Sequence, residues 1–355
     1  MDLDDYDFAL PDEQIALYPA PRRDGSRLLV LDRGTTDLTD ATFVDLLRYL
    51  RPEDVLVLNE TRVVPARVHV SKARTGGRVE LLVLGRGTPD GWLAMARPLK
   101  GLENGDILRG SGELELVVVG RTAEDRLHFR VVGCDDTGDD PTGLETFRKL
   151  AGDAGQIPLP PYIRRAPEED DTQRYQTVFA RAGGSIAAPT AGLHFTDSLL
   201  EQIQAAGTAV ARLLLHVGAG TFSPIRHEDP RQHRIEAEYY QLPADTAELI
   251  ATRRAAGGRV VAVGTTCVRA LETCAASGTL VSGQGWTDLV VTPDHRFQVV
   301  DAMVTNFHLP RSSLLMLVSA FGGADAIRHA YAHAVEDGYR FYSYGDAMFI
   351  HGDRR

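Results

Sequence analysis

Gly184-Ser-Ile-Ala-Ala-Pro-Thr-Ala-Gly-Leu-His-Phe-Thr196 is followed closely by Leu215-His-Val-Gly-Ala-Gly-Thr-Phe222. Each block sets a histidine among Gly, Thr and an aromatic residue, just beyond an apolar run that reads as a strand. Glycine lets backbone approach a ligand closely, and an imidazole moves protons near neutral pH. Between the blocks lies a helical pattern over Asp197–Ala206, with Thr196 as its N-cap and Gly207 as its C′ residue. Two such loops flanking one helix predict an α/β scaffold with its site on the loops.

The same alternation extends in both directions. Downstream, the pattern predicts a strand at Val210–Leu215, a helix at Asp245–Ala255, a strand at Arg259–Val263 and a helix at Thr266–Ala276. Further strands are expected near Asp288–Val291, Val299–Val304 and Arg340–Tyr342, with helices at Ser313–Phe321 and Ala324–Glu336. Upstream come a strand at Arg27–Asp32, a helix-like run from Phe43 to Tyr49 and a strand at Asp54–Asn59. From about Val63 the texture changes to short β-like runs between Gly-rich turns, beginning at Ala66–Lys72 and ending at Leu127–Val132. Strands at that spacing, with almost no helical period, predict a small antiparallel barrel or sandwich. The acidic turn Asp135–Asp140 closes it, and Pro158-Leu-Pro-Pro161 is a stiff connector back. The expected layout is a main α/β domain from both ends of the chain, residues 1–64 and 156–355, with an inserted antiparallel β-barrel-like domain, residues 65–155.

A chain of 355 residues is long enough for two cores. Hydrophobic content of 43% and charged content of 25% are ordinary for a globular protein. The acidic start Met1-Asp-Leu-Asp-Asp-Tyr-Asp7 has no signal-peptide character, and the longest apolar run, Leu314–Phe321, is too short for a membrane span. Cys134, Cys267 and Cys274 give neither a disulfide framework nor zinc spacing, so a reduced, cytoplasmic protein without metal is expected. The net charge of −11 opposes indiscriminate binding to nucleic acid. Arginines nevertheless gather at Arg22, Arg23 and Arg27, at Arg62 and Arg67, and at Arg164 and Arg165. A local patch can steer a polyanion against the overall charge, although any one cluster is as readily a solvated surface.

Three histidines, His194, His216 and His308, follow strand-like runs, where ligands of open α/β sheets gather. A lone histidine is as often an interior hydrogen-bonded ring, and only the shared context raises these three. Val260-Val-Ala-Val-Gly-Thr-Thr-Cys-Val-Arg269 reads as strand, glycine turn and helix start, a setting whose free N–H groups suit a carboxylate or phosphate. Glu238, Asp301 and Asp346 are carboxylates in polar, aromatic or strand-end surroundings, and for Asp346 a role as a surface acid or a partner for a nearby arginine is favoured. Asn59-Glu-Thr-Arg62 offers an amide, a hydroxyl and a guanidinium together.

These blocks occur in an order that closely resembles the S-adenosylmethionine:tRNA ribosyltransferase-isomerases of queuosine biosynthesis. The resemblance spans nearly the whole chain, from Asp24-Gly-Ser-Arg-Leu-Leu29 and Asn59-Glu-Thr-Arg-Val-Val-Pro-Ala-Arg67 to the two histidine blocks. It continues through Val263-Gly-Thr-Thr266 and Val300-Asp-Ala-Met-Val-Thr-Asn-Phe-His-Leu-Pro310 to Tyr339-Arg-Phe-Tyr-Ser-Tyr-Gly-Asp346. Departures from the family pattern include Cys267 for a usual Ser, Glu60 for Asp, and Ile235-Glu236 for Met-His.

The resemblance implies that S-adenosylmethionine serves as a ribosyl donor. Its ribose is transferred and isomerised onto 7-aminomethyl-7-deazaguanine at the tRNA wobble position, giving epoxyqueuosine-tRNA, adenine and methionine. The donor is then a co-substrate, with no permanently bound cofactor and no metal, and the partner is the tRNA anticodon loop, bound by a monomer. That chemistry needs at least two proton-transfer groups and negative charge near two cations. The expected catalytic set is His194, His216 and His308 with Asp301 and Glu238. The donor is expected against Thr190, Phe195, Gly218, Gly220, Thr221, Phe222, Thr265, Thr266 and Phe307. The expected tRNA contacts are Arg22, Arg23, Asn59, Arg62, Arg67, Arg164 and Arg165. A transferase acting on a small-molecule acceptor and a non-catalytic tRNA-binding protein are the alternatives. The first would leave RNA unaltered, and the second would consume no donor.

Overall fold

The computed structural model describes residues 3–88, 91–134, 140–222, 225, 227 and 229–352. The acidic turn expected at Asp135–Asp140 lies outside the described residues except for Asp140.

The first strands are β1 (Arg27–Asp32), β2 (Leu38–Thr42), β3 (Val55–Asn59) and β4 (Thr61–Val63). A six-stranded stretch follows: β5 (Arg67–Lys72), β6 (Arg78–Thr88), β7 (Gly91–Arg97), β8 (Ile107–Arg109), β9 (Glu115–Arg121) and β10 (Leu127–Val131). Helix α1 (Leu144–Ala151) and the short strand β11 (Gly155–Gln156) lead to α2 (Asp171–Arg174) and β12 (Ala182–Ser185). The remainder alternates through α3 (Asp197–Ala205), β13 (Ala209–Leu215), β14 (Glu238–Leu242), α4 (Ala244–Ala255), β15 (Val260–Val263) and α5 (Thr265–Cys274). It ends with β16 (Gly283–Thr287), β17 (Ala302–Asn306), α6 (Ser313–Gly322), α7 (Ala324–Glu336) and β18 (Ala347–His351).

Nine strands form one mixed sheet in the order β16-β14-β13-β3-β15-β17-β18-β1-β2. Its centre, β13, β3, β15 and β17, is parallel. Every residue of β3, β15 and β17 is buried, which explains their apolar runs, broken only by Asn59, Thr305 and Asn306 at the strand ends. Helices cover both faces, with separate apolar cores beneath them. Strands β5–β10 are antiparallel, and pairing of β5 with β8 closes them into a six-stranded barrel. Alternation does the work there: β6 and β9 bury every second residue around Trp92, Phe129 and Phe147. An α/β body carrying an inserted antiparallel barrel is therefore the observed architecture.

Several local expectations change. Helix α3 has its expected cap, Thr196 Oγ1 accepting from Leu199 N at 3.1 Å, and Gly207 takes φ +102° behind it. The run from Phe43 is a 3-10 helix to Arg48 rather than an α-helix. Asp288–Val291 and Arg340–Tyr342 are not strands; the sheet uses β16 and β18 instead. Strand β17 begins at Ala302, so Asp301 stands before it.

Candidate active site

All four central strands run to one edge, and their C-terminal ends bring the candidate residues together. His216 follows β13, Asn59 ends β3, Gly264-Thr265-Thr266 follow β15, and Asn306 ends β17 with Phe307 and His308 just beyond it. Strands β1 and β18 run the other way, so Ser26 and the Tyr342–Asp346 turn join the same edge. This is where open α/β sheets hold ligands.

Three contiguous cavities lie along this edge. The first, about 50 Å³, is walled by Thr190, Thr265, Thr266, Asn306, His308 and Tyr342. Helix α5 opens onto it, and its N-cap, Gly264 at φ +86°, brings no capping side chain to its first turn. Tyr342 is held at φ +73°, a left-handed conformation unusual outside glycine, and its ring lies 4.6 Å from that of Tyr162. The second cavity, about 430 Å³, holds His216, Glu238, Gly218 and Trp286. Val217 borders both. The third, about 790 Å³, is a cleft between barrel and main sheet. It presents Arg67, Arg97, Arg126, Arg164, Arg165 and Arg234 against only Glu80 and Glu236. Within a chain of net charge −11, that is a strongly basic cleft.

The histidines play different parts. His216 presents an edge to the second cavity, while Nδ1 meets Thr61 Oγ1 at 2.8 Å and the ring stacks on Tyr239 at 5.9 Å. Among the described residues its Nε2 has no hydrogen-bond partner. It lies over Gly184, where a Cβ would stand 2.7 Å from the ring. Gly184 is therefore required both by that close approach and by its φ of +143°. Burial pulls the His216 pKa down to about 4, so the ring is a neutral base at pH 7.

His194 is occupied on both sides. Asn306 Nδ2 meets Nε2 at 3.1 Å, and Ser26 Oγ meets Nδ1 at 2.7 Å. An amide N–H can only donate, so Nε2 is the acceptor and Nδ1 carries the proton toward Ser26. The ring stacks on Phe43 at 4.9 Å and borders none of the three cavities. The expected acid–base role thus gives way to a positioning one. His194 and Tyr342 O, which accepts at 3.2 Å, aim Asn306, whose buried Oδ1 has no hydrogen-bond partner among the described residues and belongs to a residue lining the first cavity. His308 borders that cavity with Nε2 on Thr305 Oγ1 at 2.8 Å.

Burial lowers all three histidines, His194 and His308 to about 3 and His216 to about 4. Their folded values lie below the ordinary 6.5, so the unfolded chain binds more protons between those limits. The stability they contribute is complete above pH 6.5 and lost as pH falls toward 3–4. Melting temperature is expected to drop steadily from pH 7 to pH 4, and a flat profile would contradict this burial.

Other expectations are corrected. Asp301 lies at the opposite edge, where Oδ2 accepts from Val260 N at 2.9 Å, separated from the site by the length of β17. Phe195 is fully buried between Phe43 and Phe179, and the fully buried Phe307 ring packs among Tyr331, Tyr339 and Phe341 while its residue borders the first cavity. Asn59 is buried, donating to Leu215 O and Thr266 Oγ1 and accepting from Thr61 N and Leu215 N, so it fastens strands and cannot hold a phosphate. Arg165 grips Asp171 with two bonds of 2.6 and 2.8 Å, and Arg23 spends its donors on Leu193 O and Gln173 O. Arg62 faces Glu145 at 3.4 Å, and exposed Arg22 pairs with Asp24.

Glu238 does reach the second cavity, accepting from Gly218 N at 2.8 Å, but it is paired in the interior with Arg269. Gly218 borders that cavity and Gly220 the cleft, and a Cβ on either would meet nothing closer than 3.7 Å, so they leave room rather than avoid a clash. Thr221 and Phe222 end a short 3-10 turn, and their side chains lie outside the described residues. Burial pushes the Cys267 thiol well above its usual range, which disqualifies it as a nucleophile. Asp40, His333 and Asp337 form the one group with metal-ligand spacing among the described residues. Arg27 lies 3.2 and 3.9 Å from its two carboxylates, giving an ordinary surface network.

Sequence reasoning missed Arg97, Arg126, Arg234, Asn306 and Trp286. The arginines come from distant segments and only insertion of the barrel gathers them. Asn306, at a strand end beside a candidate histidine, carried a usable signal.

Comparison with known proteins matches this arrangement. A family described as "Queuosine biosynthesis protein" matches residues 3–350. An S-adenosylmethionine:tRNA ribosyltransferase-isomerase from Azoarcus sp. (strain BH72) is 50% identical over 350 residues, covering 99% of this chain and 97% of that protein. One of the same name from Trichlorobacter lovleyi is 49% identical over 347 residues, covering 98% of each. The crystal structure of S-adenosylmethionine tRNA ribosyltransferase from Thermotoga maritima superposes with a TM-score of 0.55 at 35% identity, covering 98% of this chain and 99% of that one. With a strand-end site on a barrel-bearing α/β body and similarity along its whole length, the chain belongs to the queuosine biosynthesis protein family.

Proposed function

We propose that this protein transfers and isomerises the ribosyl group of S-adenosylmethionine onto 7-aminomethyl-7-deazaguanine at the tRNA wobble position, releasing adenine and methionine. The observation that carries the reading is the junction of a neutral buried base, His216, with an uncapped helix start on one side and an arginine-rich cleft on the other.

The uncapped first turn of α5, with Thr265 and Thr266, suits the donor's methionine carboxylate. Asn306 Oδ1 would accept from an N–H of the donor. The sugar and adenine would reach past Val217 toward His216, because the first cavity alone is too small for the donor. There the sulfonium acidifies the 5′ carbon, and His216 Nε2 takes its proton. The bond from the 4′ carbon to the ring oxygen breaks, leaving a vinyl sulfonium, and the freed oxygen becomes a 1′ aldehyde as adenine departs with a proton. The deprotonated acceptor amine adds to the 4′ carbon, the resulting 5′ ylide closes onto the 1′ aldehyde, and the oxygen so formed displaces methionine from the 5′ carbon to close the epoxide. Glu238 lends negative charge to the cavity, moderated by Arg269. His308 stands ready in the first cavity as a second proton carrier.

Residues 1–64 and 156–355 would form the catalytic domain, and the insert 65–155 the far wall of the RNA cleft. Support comes from barrel residues Arg67, Arg97 and Arg126 facing Arg164 and Arg234 of the main body. The anticodon loop would lie there with the modified base turned out into the second cavity. No helix among the described residues is long and apolar enough to cross a membrane. We place the enzyme in the cytoplasm with its tRNA, acting as a monomer without a resident cofactor.

The test is incubation with donor and tRNA carrying the aminomethyl precursor, followed by nucleoside mass analysis. Epoxyqueuosine at the wobble position is expected, and unaltered precursor would refute the assignment. Replacing Arg67 and Arg126 together by Ala should weaken tRNA binding severalfold and make its dependence on log salt about two units shallower. An unchanged slope would remove the cleft from the contact surface.

A further inference from the structure

The chain has two tryptophans, and they are placed oppositely. Trp92 is 1% exposed inside the barrel, whereas Trp286 is 54% exposed. Trp286 sits on β16, the edge strand of the large sheet, directly across from Tyr239 of β14. Its indole meets Tyr239 edge-on at 5.7 Å, and Tyr239 in turn stacks on His216. Tyr239 is itself fixed, since its hydroxyl donates to Gln284 Oε1 at 3.0 Å. The exposed indole is therefore mounted on a rigid ladder of rings that ends at the candidate base. It borders the second cavity together with Arg86 and Arg126 and with Glu124, Glu236 and Glu238, Arg126 pairing with Glu236 at 2.9 Å. Arg126, Ala219 and Glu236 then carry that cavity into the arginine-rich cleft.

A flat aromatic face beside a cationic track is the arrangement that holds unpaired nucleotides, because every base offers a π-face and every phosphate a charge. The arginine surplus next to it, in a chain that is acidic overall, selects a polyanion over an apolar protein surface as the occupant. We infer that Trp286 is a stacking platform for an unpaired anticodon-loop nucleotide adjacent to the one that enters the second cavity. This rests on the reading of the chain as a tRNA-modifying enzyme, and it adds the point at which the loop is splayed. Stacking the neighbour on Trp286 would keep it from following the target base inward and would hold the loop open over His216.

Intrinsic fluorescence tests this directly, with Trp286→Phe supplying the Trp92 background. The full-length protein is titrated with an unmodified anticodon stem-loop, and the thermal melting midpoint is measured alongside as a check on folding. Quenching of the Trp286 component at saturation is expected. Trp286→Ala should weaken loop binding about tenfold or more with an unchanged melting midpoint, while Trp286→Phe stays within about threefold of wild type. Tight loop binding with unquenched Trp286 emission and full affinity in Trp286→Ala would overturn the platform while leaving the tRNA assignment standing. Dissociation of a dimer in Trp286→Ala, with loop affinity intact, would make this a protein interface instead. Failure of the wild-type protein to bind the loop would overturn both readings.

Discussion

His216→Ala is expected to slow adenine release by two to four orders of magnitude, the usual worth of a positioned general base. His216 alone among the three histidines combines a cavity-facing edge with an Nε2 that has no hydrogen-bond partner among the described residues, and Thr61 fixes its other nitrogen. Its lowered pKa gives a second signature. The acid limb of kcat/KM should fall near pH 4 rather than 6.5, because protonation inactivates the base only below its folded value. His194→Gln serves as the contrast. That ring touches no cavity, so its loss should act on donor KM through Asn306 more than on kcat. Activity of His216→Ala within about tenfold of wild type, about 1.4 kcal/mol in barrier, would remove it from the reaction.

The largest effect on stability is expected at Arg269. Its side chain and that of Glu238 are each only 5% exposed, and Arg269 also donates from Nε to Leu289 O at 2.9 Å. Arg269→Met would strand a carboxylate in the interior, at a cost of about 3–5 kcal/mol. Adding Glu238→Gln removes the stranded charge, so the double variant should be more stable than Arg269→Met alone. Denaturant midpoints of wild type, Arg269→Met, Glu238→Gln and the double variant decide this. Additive losses would mean that the pair is not coupled. Because Glu238 also accepts from Gly218 N, hydrogen exchange at Gly218 should quicken in Arg269→Met.

The α/β body was legible where burial is uniform. Strands β3, β15 and β17 read as apolar runs because both their faces are covered, and α3 announced itself through Thr196 and Gly207. Strand β2, Leu-Thr-Asp-Ala-Thr, is a largely exposed edge and carries no apolar pattern. Strand β14 opens with Glu-Tyr-Tyr, which reads as a polar site rather than a strand that buries its carboxylate against Arg269. Leu-Val-Val at 289–291 looks like a strand because Val291 is buried, yet it finds no partner in the sheet.

The candidate site shows the same division. His216, Thr265, Thr266 and His308 follow strands in sequence, and strand direction alone carries them to one edge. Asp301 went astray because the apolar run begins at Val299 while the paired strand begins at Ala302, a shift that moves the carboxylate to the far edge. Asn59 was misplaced because its polarity suggested surface, whereas its four bonds fasten β3 to β13 and α5. The basic cleft could not be read along the chain, since Arg97, Arg126 and Arg234 become neighbours only when the barrel folds against the main body.

At the centre of this account is one donor molecule that loses both its nucleobase and its sulfur while its carbon skeleton passes to tRNA. Purified protein given S-adenosylmethionine and precursor tRNA, with adenine, methionine and modified nucleoside quantified together, tests that claim. Equal amounts of all three are predicted. S-adenosylhomocysteine in place of free adenine, or donor turnover with no change in the RNA, would contradict it.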